Sequence, residues 1–411
     1  MAKISFKYLC VVCLLTQACS SAQPPVQAKA NIVALTVEGQ APISKGMPLL
    51  AKKQALQDAV RQASMQSSVN IRSRTLVSQN NVAIDTLAMH TAAAVSNTKI
   101  IREWKADNIY HVLATVELSS DSSCAPLYRK RIIATAFPLA KQEQVTGYET
   151  QDLYSGIPRE LNNILMESGE FIGTNATHIN LYPRPELAPE LQDSTAYRPS
   201  KVMQMASANG AQFVLSGVIR DMEVESSEYM RGAGPLAFAR SLARDVVARR
   251  GIGIDVFVHD GFTGALLFQQ RYSDNAIGDV WIPATYAVGS ERFNDTSTGG
   301  KIAGIISMAS TDVRRALSCY PFATRIIEIK DDNVFIDAGA QERMAVGDQL
   351  VVYGTSGEDL KLDGGQSFIG KDKQPVGVLT IRSITPRYAI GQLEVPAREL
   401  GIKVGDWVRA Y

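Results

Sequence analysis

The sequence predicts a multidomain α+β protein, and three changes of pattern along the chain support this fold class. A β-α-β-β pattern comes first, a longer stretch of alternating strands and helices follows, and short strands separated by Gly and Pro come last. A length of 411 residues is enough for two to four domains of ordinary size. We therefore predict a small N-terminal domain at residues 23–124, a mixed-sheet middle domain at 125–319 and a small C-terminal β-barrel at 320–411.

The first 22 residues are predicted to be a signal peptide for export. Lys3 and Lys7 provide the charged start, and the apolar run at Tyr8–Leu15 is too short to span a bilayer. Two cleavage sites remain open. The small residues at 20–22 suit ordinary signal peptidase, which we favour. The stretch before Cys19 resembles a lipobox, which would make Cys19 a lipidation site.

The N-terminal domain is predicted from one strand, one helix and one hairpin. Residues 31–43 alternate between apolar and polar side chains, as a strand with one buried face does. After Pro48, apolar residues recur at helical spacing and leave a polar opposite face. Residues 96–120 then predict two strand-favouring runs around a turn at Lys105–Asn108.

The middle domain is predicted to alternate strands and helices and to contain one hairpin. The predicted elements are a strand at Lys130–Phe137, helices at Ser155–Gly169 and Pro199–Asn209, a strand at 211–225, a helix at Pro235–Arg250, a hairpin around Asp260–Gly264, and a closing helix that reaches Cys319. Ser155 is predicted to cap the first helix. The third helix carries four arginines on its polar side. We predict a solvent-exposed face there, with an acidic partner or a neighbouring subunit as the alternative: Arg240, Arg244, Arg249 and Arg250.

The C-terminal barrel is predicted from an internal repeat. Val346–Tyr353 and Val404–Tyr411 both begin with Val-Gly-Asp and end at a tyrosine. In each copy, Gly-Asp indicates a tight turn that leads into a strand. We expect the second copy to close the barrel at the C-terminus.

Composition and motifs argue against several classes of function. The net charge of +1 lacks the basic surplus that nucleic-acid binding usually requires. Gly365–Lys371 has the spacing of a phosphate loop, but Asp372 replaces the Ser or Thr that would bind magnesium, and Pro375 prevents a following helix. The histidines are far apart and lack neighbouring ligands: His90, His111, His178 and His259. We therefore predict no catalytic residues, no cofactor and no metal site.

The cysteines predict one disulfide. Cys10 and Cys13 leave with the signal, and Cys19 is either removed or lipidated, so Cys124 and Cys319 are the thiols that remain in an exported chain. They bracket the middle domain, whose ends are expected to lie close together. We predict that Cys124 and Cys319 pair, with two buried, unpaired cysteines as the alternative.

The chain resembles the flagellar assembly protein T (FlgT) family over nearly all of its mature length. The resemblance rests on the opening strand and helix, on Cys124 followed by Leu127–Ile132, on Met203–Met222, and on the β-rich end. It implies a periplasmic structural protein of the flagellar basal body, whose copies form the H ring around the LP ring of a sodium-driven polar flagellum. It also implies that the protein supports the T ring of MotX and MotY and the stator units.

The same resemblance implies a middle domain similar to the N-terminal domain of TolB. The expected partners are other copies in a ring, the LP-ring proteins, and MotX and MotY, in the periplasm near the outer membrane. An outer-membrane lipoprotein of an envelope secretion or trafficking complex remains the alternative, because Cys19 would suit it. A periplasmic enzyme is disfavoured, because no nucleophile, base or metal cluster is recognisable.

Overall fold

The fold is taken from a computed structural model that describes residues 32–44, 46–72, 95–119, 126–145, 152–190, 200–225, 248–362 and 367–410. These residues form a three-stranded sheet, a mixed sheet and a closed barrel, in chain order. The α+β fold class, the mixed middle sheet and the C-terminal barrel are therefore confirmed. The predicted signal peptide, with Cys19, and residue Cys124 lie outside the described residues.

The N-terminal unit is the predicted β-α-β-β arrangement. Its elements are β1 (Ile32–Pro42), α1 (Pro48–Arg72), β2 (Val95–Ala106) and β3 (Ile109–Ser119), in the sheet order β1-β3-β2. The hairpin turns at Asp107 and Asn108, which both have positive φ, as a two-residue turn requires. Small residues bring α1 close to the sheet: a side chain at Gly39 would overlap the carbonyl oxygen of Ala55.

The middle unit is a mixed sheet with helices on both faces. Its strands are β4 (Lys130–Thr135), β5 (Phe171–Ala176), β6 (Phe213–Asp221), β7 (Val224–Glu225), β8 (Arg249–Asp260) and β9 (Leu266–Ile277). The order is β5-β4-β6-β8-β7, with β9 also paired to β8. Strand β4 pairs in parallel with β5 and β6, and β8 pairs antiparallel with β6 and β9.

Three of the described helices of the middle unit lie close to predicted helices, and a fourth, at Glu291–Asn294, was not predicted. They are α2 (Leu153–Glu167), α3 (Lys201–Ala208), α4 (Glu291–Asn294) and α5 (Ser297–Ser318). Helix α2 begins at Leu153, so the prediction that Ser155 caps it is wrong. Ser155 lies inside the first turn, where its hydroxyl donates to the carbonyl of Asp152 over 3.3 Å. Ser200 does cap α3, because its hydroxyl accepts from the amide of Met203.

The predicted exposed helix at Pro235–Arg250 is wrong at its end, and residues 226–247 lie outside the described residues. Arg249 and Arg250 begin strand β8, where they pair with Glu225 and Val224. The Arg250 side chain is fully buried; it donates to the carbonyl of Val280 and lies 5.5 Å from the Trp281 ring. The spacing of the arginines predicted a helix from local pattern alone. Pairing with strands distant in the sequence, which that pattern does not report, determined the structure here.

The C-terminal unit is a closed six-stranded barrel. Its strands are β10 (Ala323–Lys330), β11 (Asn333–Ile336), β12 (Gln349–Leu362), β13 (Ser367–Ile384), β14 (Ala389–Leu393) and β15 (Trp407–Arg409), with helix α6 (Ala397–Leu400) between the last two. The order around the barrel is β10-β11-β14-β13-β12-β15. Strand β15 pairs with both β10 and β12, so the second repeat copy closes the barrel as predicted.

The sequence repeat marks an internal duplication of the barrel. Each half contains a hairpin, a helical turn, a Val-Gly-Asp loop and one strand. The helical turns end at Arg343 and Gly401, with φ of 65° and 66°. In each loop the aspartate (Asp348 or Asp406) accepts from the amide three residues earlier, over 2.8 Å in both copies. The two halves therefore have the same topology, and Tyr411 lies outside the described residues.

Candidate assembly surfaces

A polar junction joins the middle sheet to the barrel, and Arg131 of β4 is at its centre. Its Nε donates to Glu342 Oε1 over 2.8 Å, and its Nη1 lies 2.8 Å from Asp337 Oδ1. Glu342 is completely buried, and its second oxygen accepts from the amide of Gly339. Burial alone would lower the pKa of Arg131, but the hydrogen bonds and charges of the two carboxylates raise it overall. The buried charges of Arg131 and Glu342 therefore balance each other at a contact that largely excludes water.

Neighbouring side chains extend the polar junction on both sides. Arg129 donates to the carbonyl of Phe171, and Arg343 of the barrel donates to the carbonyl of Gly169 over 2.8 Å. The amide side chain of Gln212 binds both the Pro321 carbonyl and the Ala323 amide, where the chain enters the barrel. These bonds satisfy backbone groups that the contact between the two units would otherwise bury unpaired.

Aromatic and cationic side chains form the other end of the polar junction. Phe262, in the β8–β9 turn, lies edge-on to Trp407 of the barrel at 5.1 Å, and the Arg325 guanidinium lies 4.4 Å from its ring centre. Arg325 also donates to the carbonyl of Gly261 over 3.1 Å. Burial raises the pKa of the neighbouring Asp260 despite its two backbone hydrogen bonds. The β8–β9 turn is thus held against the barrel by stacking, charge and hydrogen bonding together.

A second contact, the apolar junction, joins the start of helix α1 to the barrel. Met47 and Leu50 are 3% and 5% exposed and belong to the same buried cluster as the barrel strands. The Leu49 amide donates to Glu394 Oε1 over 3.0 Å, so a barrel carboxylate caps the helix N-terminus. Lys53 reaches the Gln349 carbonyl at 3.4 Å, and burial lowers its pKa. Helix α1 therefore bridges the N-terminal sheet and the barrel.

The two junctions were not found from the sequence. The only signal for the first was a charged residue, Arg131, directly before the apolar run of strand β4. The only signal for the second was a group of large apolar residues around the start of α1, which includes Met47 just before the helix and Leu50 in its first turn. Neither signal indicates which residues it contacts. The contacting residues, Glu342 and Glu394, lie more than 200 residues away along the chain.

The structure places one of the two predicted disulfide residues. Cys319 is the C-terminal cap of α5, next to the start of the barrel. The neighbouring helix end is bound by Lys130, whose Nζ donates to the carbonyls of Leu317 and Ser318 over 2.5 and 2.9 Å. Burial lowers the pKa of Lys130 to about 8. Cys124 lies outside the described residues, so the Cys124–Cys319 disulfide stays a prediction, as does lipidation of Cys19.

Three of the four histidines lie among the described residues and do not converge on a site, whereas His90 lies outside the described residues. His111 binds Glu38 at 2.9 Å and stacks on Trp104, whereas His178 lies in a turn of the middle unit. His259 is buried in β8, which lowers its pKa to about 4. No group of three or more potential metal ligands occurs among the described residues. The glycine-containing stretch that resembles a phosphate loop continues into strand β13 rather than into a helix.

No described helix combines the length and the apolar character needed to cross a membrane. Models of two protein domain families match much of the chain. Residues 33–120 match the N-terminal domain of flagellar assembly protein T, and residues 122–288 match its middle domain. Together they cover more than half of the chain. The chain belongs to the flagellar assembly protein T family.

Solved structures with some similarity cover about half of the chain. They include a PelC dodecamer from Paraburkholderia phytofirmans (13% identity, 48% of this chain and 94% of that one, TM-score 0.26). They also include the hypothetical protein CT253 from Chlamydia trachomatis (12%, 46% and 98%, 0.31) and the lipoprotein GNA1162 from Neisseria meningitidis (11%, 44% and 97%, 0.22). With TM-scores this low, these similarities carry no functional conclusion. No curated protein matches the chain at a significant level.

Proposed function

We propose that the protein is a structural component of the flagellar basal body that acts in the periplasm. In this proposal its copies form the H ring around the LP ring and support the T ring of MotX and MotY, and through it the stator units. The protein works as a scaffold and not as an enzyme. Membership of the flagellar assembly protein T family is the observation that carries the proposal.

The two junctions are compatible with a scaffold. A structural protein transmits force between its binding surfaces only if its parts keep a fixed arrangement. The barrel contacts the middle sheet through buried ion pairs and contacts α1 through buried apolar side chains. A hinged arrangement would instead leave contacts between its units that are small and open to water.

Deletion of the gene tests the proposal. The deletion strain should lose swimming in soft agar, and its purified basal bodies should lack their outermost ring in electron micrographs. Wild-type protein supplied from a plasmid should restore both. Normal swimming together with intact rings in the deletion strain would rule out the scaffold role.

Labelling with palmitate tests the alternative of an envelope-trafficking lipoprotein. An exported, unlipidated chain should take up no label and should appear in the periplasmic fraction. Cys19→Ser provides the matched control, since this variant cannot be lipidated. Palmitate on the wild-type chain but not on Cys19→Ser, with unchanged motility after deletion, would favour the alternative.

A further inference from the structure

The outer surface of the barrel carries a continuous row of side chains that neither junction uses. The strand registers place Glu328 opposite Phe335, Phe335 opposite Ile390, and Ile390 opposite Ser383. The row therefore crosses four neighbouring strands, from β10 to β13. Phe335 points outward, because the residues on either side of it, Val334 and Ile336, are fully buried in the barrel. We call this surface the Phe335 face.

A β-bulge lies at each end of the Phe335 face. The register shifts between Ile326 and Glu328 on β10, and again between Ile381 and Ser383 on β13. The extra residues, Ile327 and Arg382, occupy equivalent positions in the two halves of the barrel, and both are exposed. Bulges turn a side chain away from the regular pleat. Both halves therefore present an additional side chain at the edge of the same face.

The centre of the Phe335 face is apolar and accessible. Ile327 is 45% exposed, and Tyr388 is 39% exposed with its ring 6.2 Å from that of Phe335. Ile390 is half-buried beside them. Scattered apolar residues are ordinary on a protein surface, but a contiguous aromatic and aliphatic group is typical of a binding surface.

The ends of the Phe335 face carry opposite charges. Glu328 lies at the β10 end, whereas Arg382 and Arg387 lie at the β13 end. All three are exposed, and none of them forms an ion pair among the residues that the structure describes. From β10 to β13 the row is therefore acidic, apolar, apolar and polar, ending at Ser383, and the adjacent bulge residue Arg382 adds a positive charge beside the polar end.

We propose that the Phe335 face binds the same face of a second copy of this chain, about a twofold axis parallel to the strands. Such an axis reverses the row, so Phe335 of each copy lies opposite Ile390 of the other. Glu328 of each copy then lies opposite Ser383 and beside the adjacent Arg382 of the other. An isologous contact requires a surface that is complementary to itself in this way. The inference rests on the proposed function and deepens it, because it names one contact between copies of the scaffold.

The size of the Phe335 face predicts a weak contact. Four strands at a spacing of about 4.8 Å make the face roughly 14 Å wide. A face this narrow covers much less than the roughly 800 Å² per partner of a standard interface. We expect dissociation in the micromolar range for the isolated pair. An isologous contact also closes after two copies, so a ring needs a second, different contact elsewhere. Many copies held in one ring would strengthen each weak contact.

Sedimentation velocity of the full chain, exported and purified from the periplasm, tests the proposal. The wild-type chain should form a concentration-dependent dimer, and Phe335→Glu should be monomeric over the same range. Ile277→Glu is the matched control, because Ile277 is an exposed strand residue of the middle unit, 66% accessible, away from the barrel. If Phe335→Glu has a lowered melting temperature, Ile327→Asp, at the exposed bulge, replaces it.

Charge exchange gives the sharper test. Glu328→Arg and Arg382→Glu should each weaken the dimer by about tenfold or more, since each places two pairs of like charges in contact. The double variant Glu328→Arg/Arg382→Glu should regain wild-type association, and a mixture of the two single variants should form a heterodimer. This pattern depends on the pairing of these two residues and not on general stability.

Three results would overturn the proposal. They are a wild-type chain that stays monomeric at about 100 µM, where a micromolar contact would be populated, a dimer that Phe335→Glu leaves intact, and a double variant that does not recover. If the chain is monomeric but Phe335→Glu is lost from basal bodies, a different protein covers the face. Normal rings in the deletion strain, by contrast, would contradict the proposed function and leave the solution dimer to be judged separately.

Discussion

The polar junction and the apolar junction hold two different neighbours against the same barrel. In the polar junction, Arg131 is neutralised by Glu342 and Asp337, and the orientation of the units is set by directional bonds. In the apolar junction, Met47 and Leu50 enter the barrel cluster, and Glu394 supplies one directional bond to α1. The polar junction fixes the orientation of the two units, but its charged side chains must lose their hydration. The apolar junction is stabilised by the burial of apolar side chains.

The polar junction uses one of the two copies of the duplicated turn of the barrel. Glu342 ends the helical turn in the first half, and Leu400 occupies the matching place before the left-handed residue in the second half. One copy of the turn therefore presents a buried carboxylate to the middle sheet. The other buries a leucine within the barrel cluster. A duplicated unit has thus kept its backbone while its two copies have acquired different contacts.

The largest expected effect concerns the predicted disulfide between the two ends of the middle unit, the unit on one side of the polar junction. If Cys124 and Cys319 are paired, the bond closes a loop of about 200 residues and stabilises the middle unit by roughly 5 kcal/mol. Reduction should lower the melting temperature of the middle unit. The melting temperature of the double variant Cys124→Ser/Cys319→Ser should not change on reduction. Alkylation and mass spectrometry of unreduced periplasmic protein provide the direct check. Two free thiols per molecule would show that the pairing is wrong.

Removal of Glu342 should break the polar junction. Glu342→Ala leaves Arg131 partly uncompensated in a buried position, so we expect a loss of about 3–5 kcal/mol in the free energy of unfolding. Chemical denaturation measures this loss. Glu399→Ala is the control, because Glu399 is an exposed carboxylate in the corresponding turn of the second half. Equal stabilities of the two variants would mean that the buried ion pairs do not hold the junction.

Truncation of Leu50 should break the apolar junction and leave the polar junction intact. Leu50→Ala removes a side chain that is 5% exposed, at an expected cost of about 2–5 kcal/mol. Amide hydrogen exchange should increase at the start of α1 and in the adjoining barrel strands, but not around Arg131. Leu56→Ala, on the half-buried side of α1 facing the N-terminal sheet, is the control. Unchanged exchange in the barrel would argue against docking of α1 there.

Lys130 should give the region beside the polar junction a distinct pH dependence. Burial lowers its pKa from 10.5 to about 8, so the folded state binds fewer protons than the unfolded state between these values. Stability contributed by this site therefore rises with pH across that window, by at most about 1.4 kcal/mol per pH unit. The difference in unfolding free energy between wild type and Lys130→Met should follow this slope. A difference that is constant from pH 7.5 to 10.5 would contradict the burial of a charged lysine.

The smallest expected effect concerns the single directional bond of the apolar junction. Glu394→Gln keeps an acceptor for the Leu49 amide but removes the negative charge at the N-terminus of α1. We expect a loss of about 0.3–1 kcal/mol, which raised salt should reduce. Thermal unfolding at two ionic strengths measures it. A loss as large as that of Leu50→Ala would mean that charge, rather than apolar burial, dominates this junction.

The sequence by itself determined the local features of this protein. Lys105–Asn108 predicted a hairpin turn, which the chain makes at Asp107 and Asn108. The repeated Val-Gly-Asp segments predicted two equivalent turns and the strand that closes the barrel. These features depend on backbone angles and periodicity, which neighbouring residues set. The fold class followed from the same patterns.

Only the tertiary structure decided which side chains became buried partners. Arg131 and Glu342 are 211 residues apart, and nothing in either local pattern indicates the other. Arg250 read as part of an exposed helix, yet pairing with β7 and β9 places it in the interior of the middle unit. Periodicity reports which residues share a face. The energy of a buried charge depends on atoms that meet only after the chain has folded.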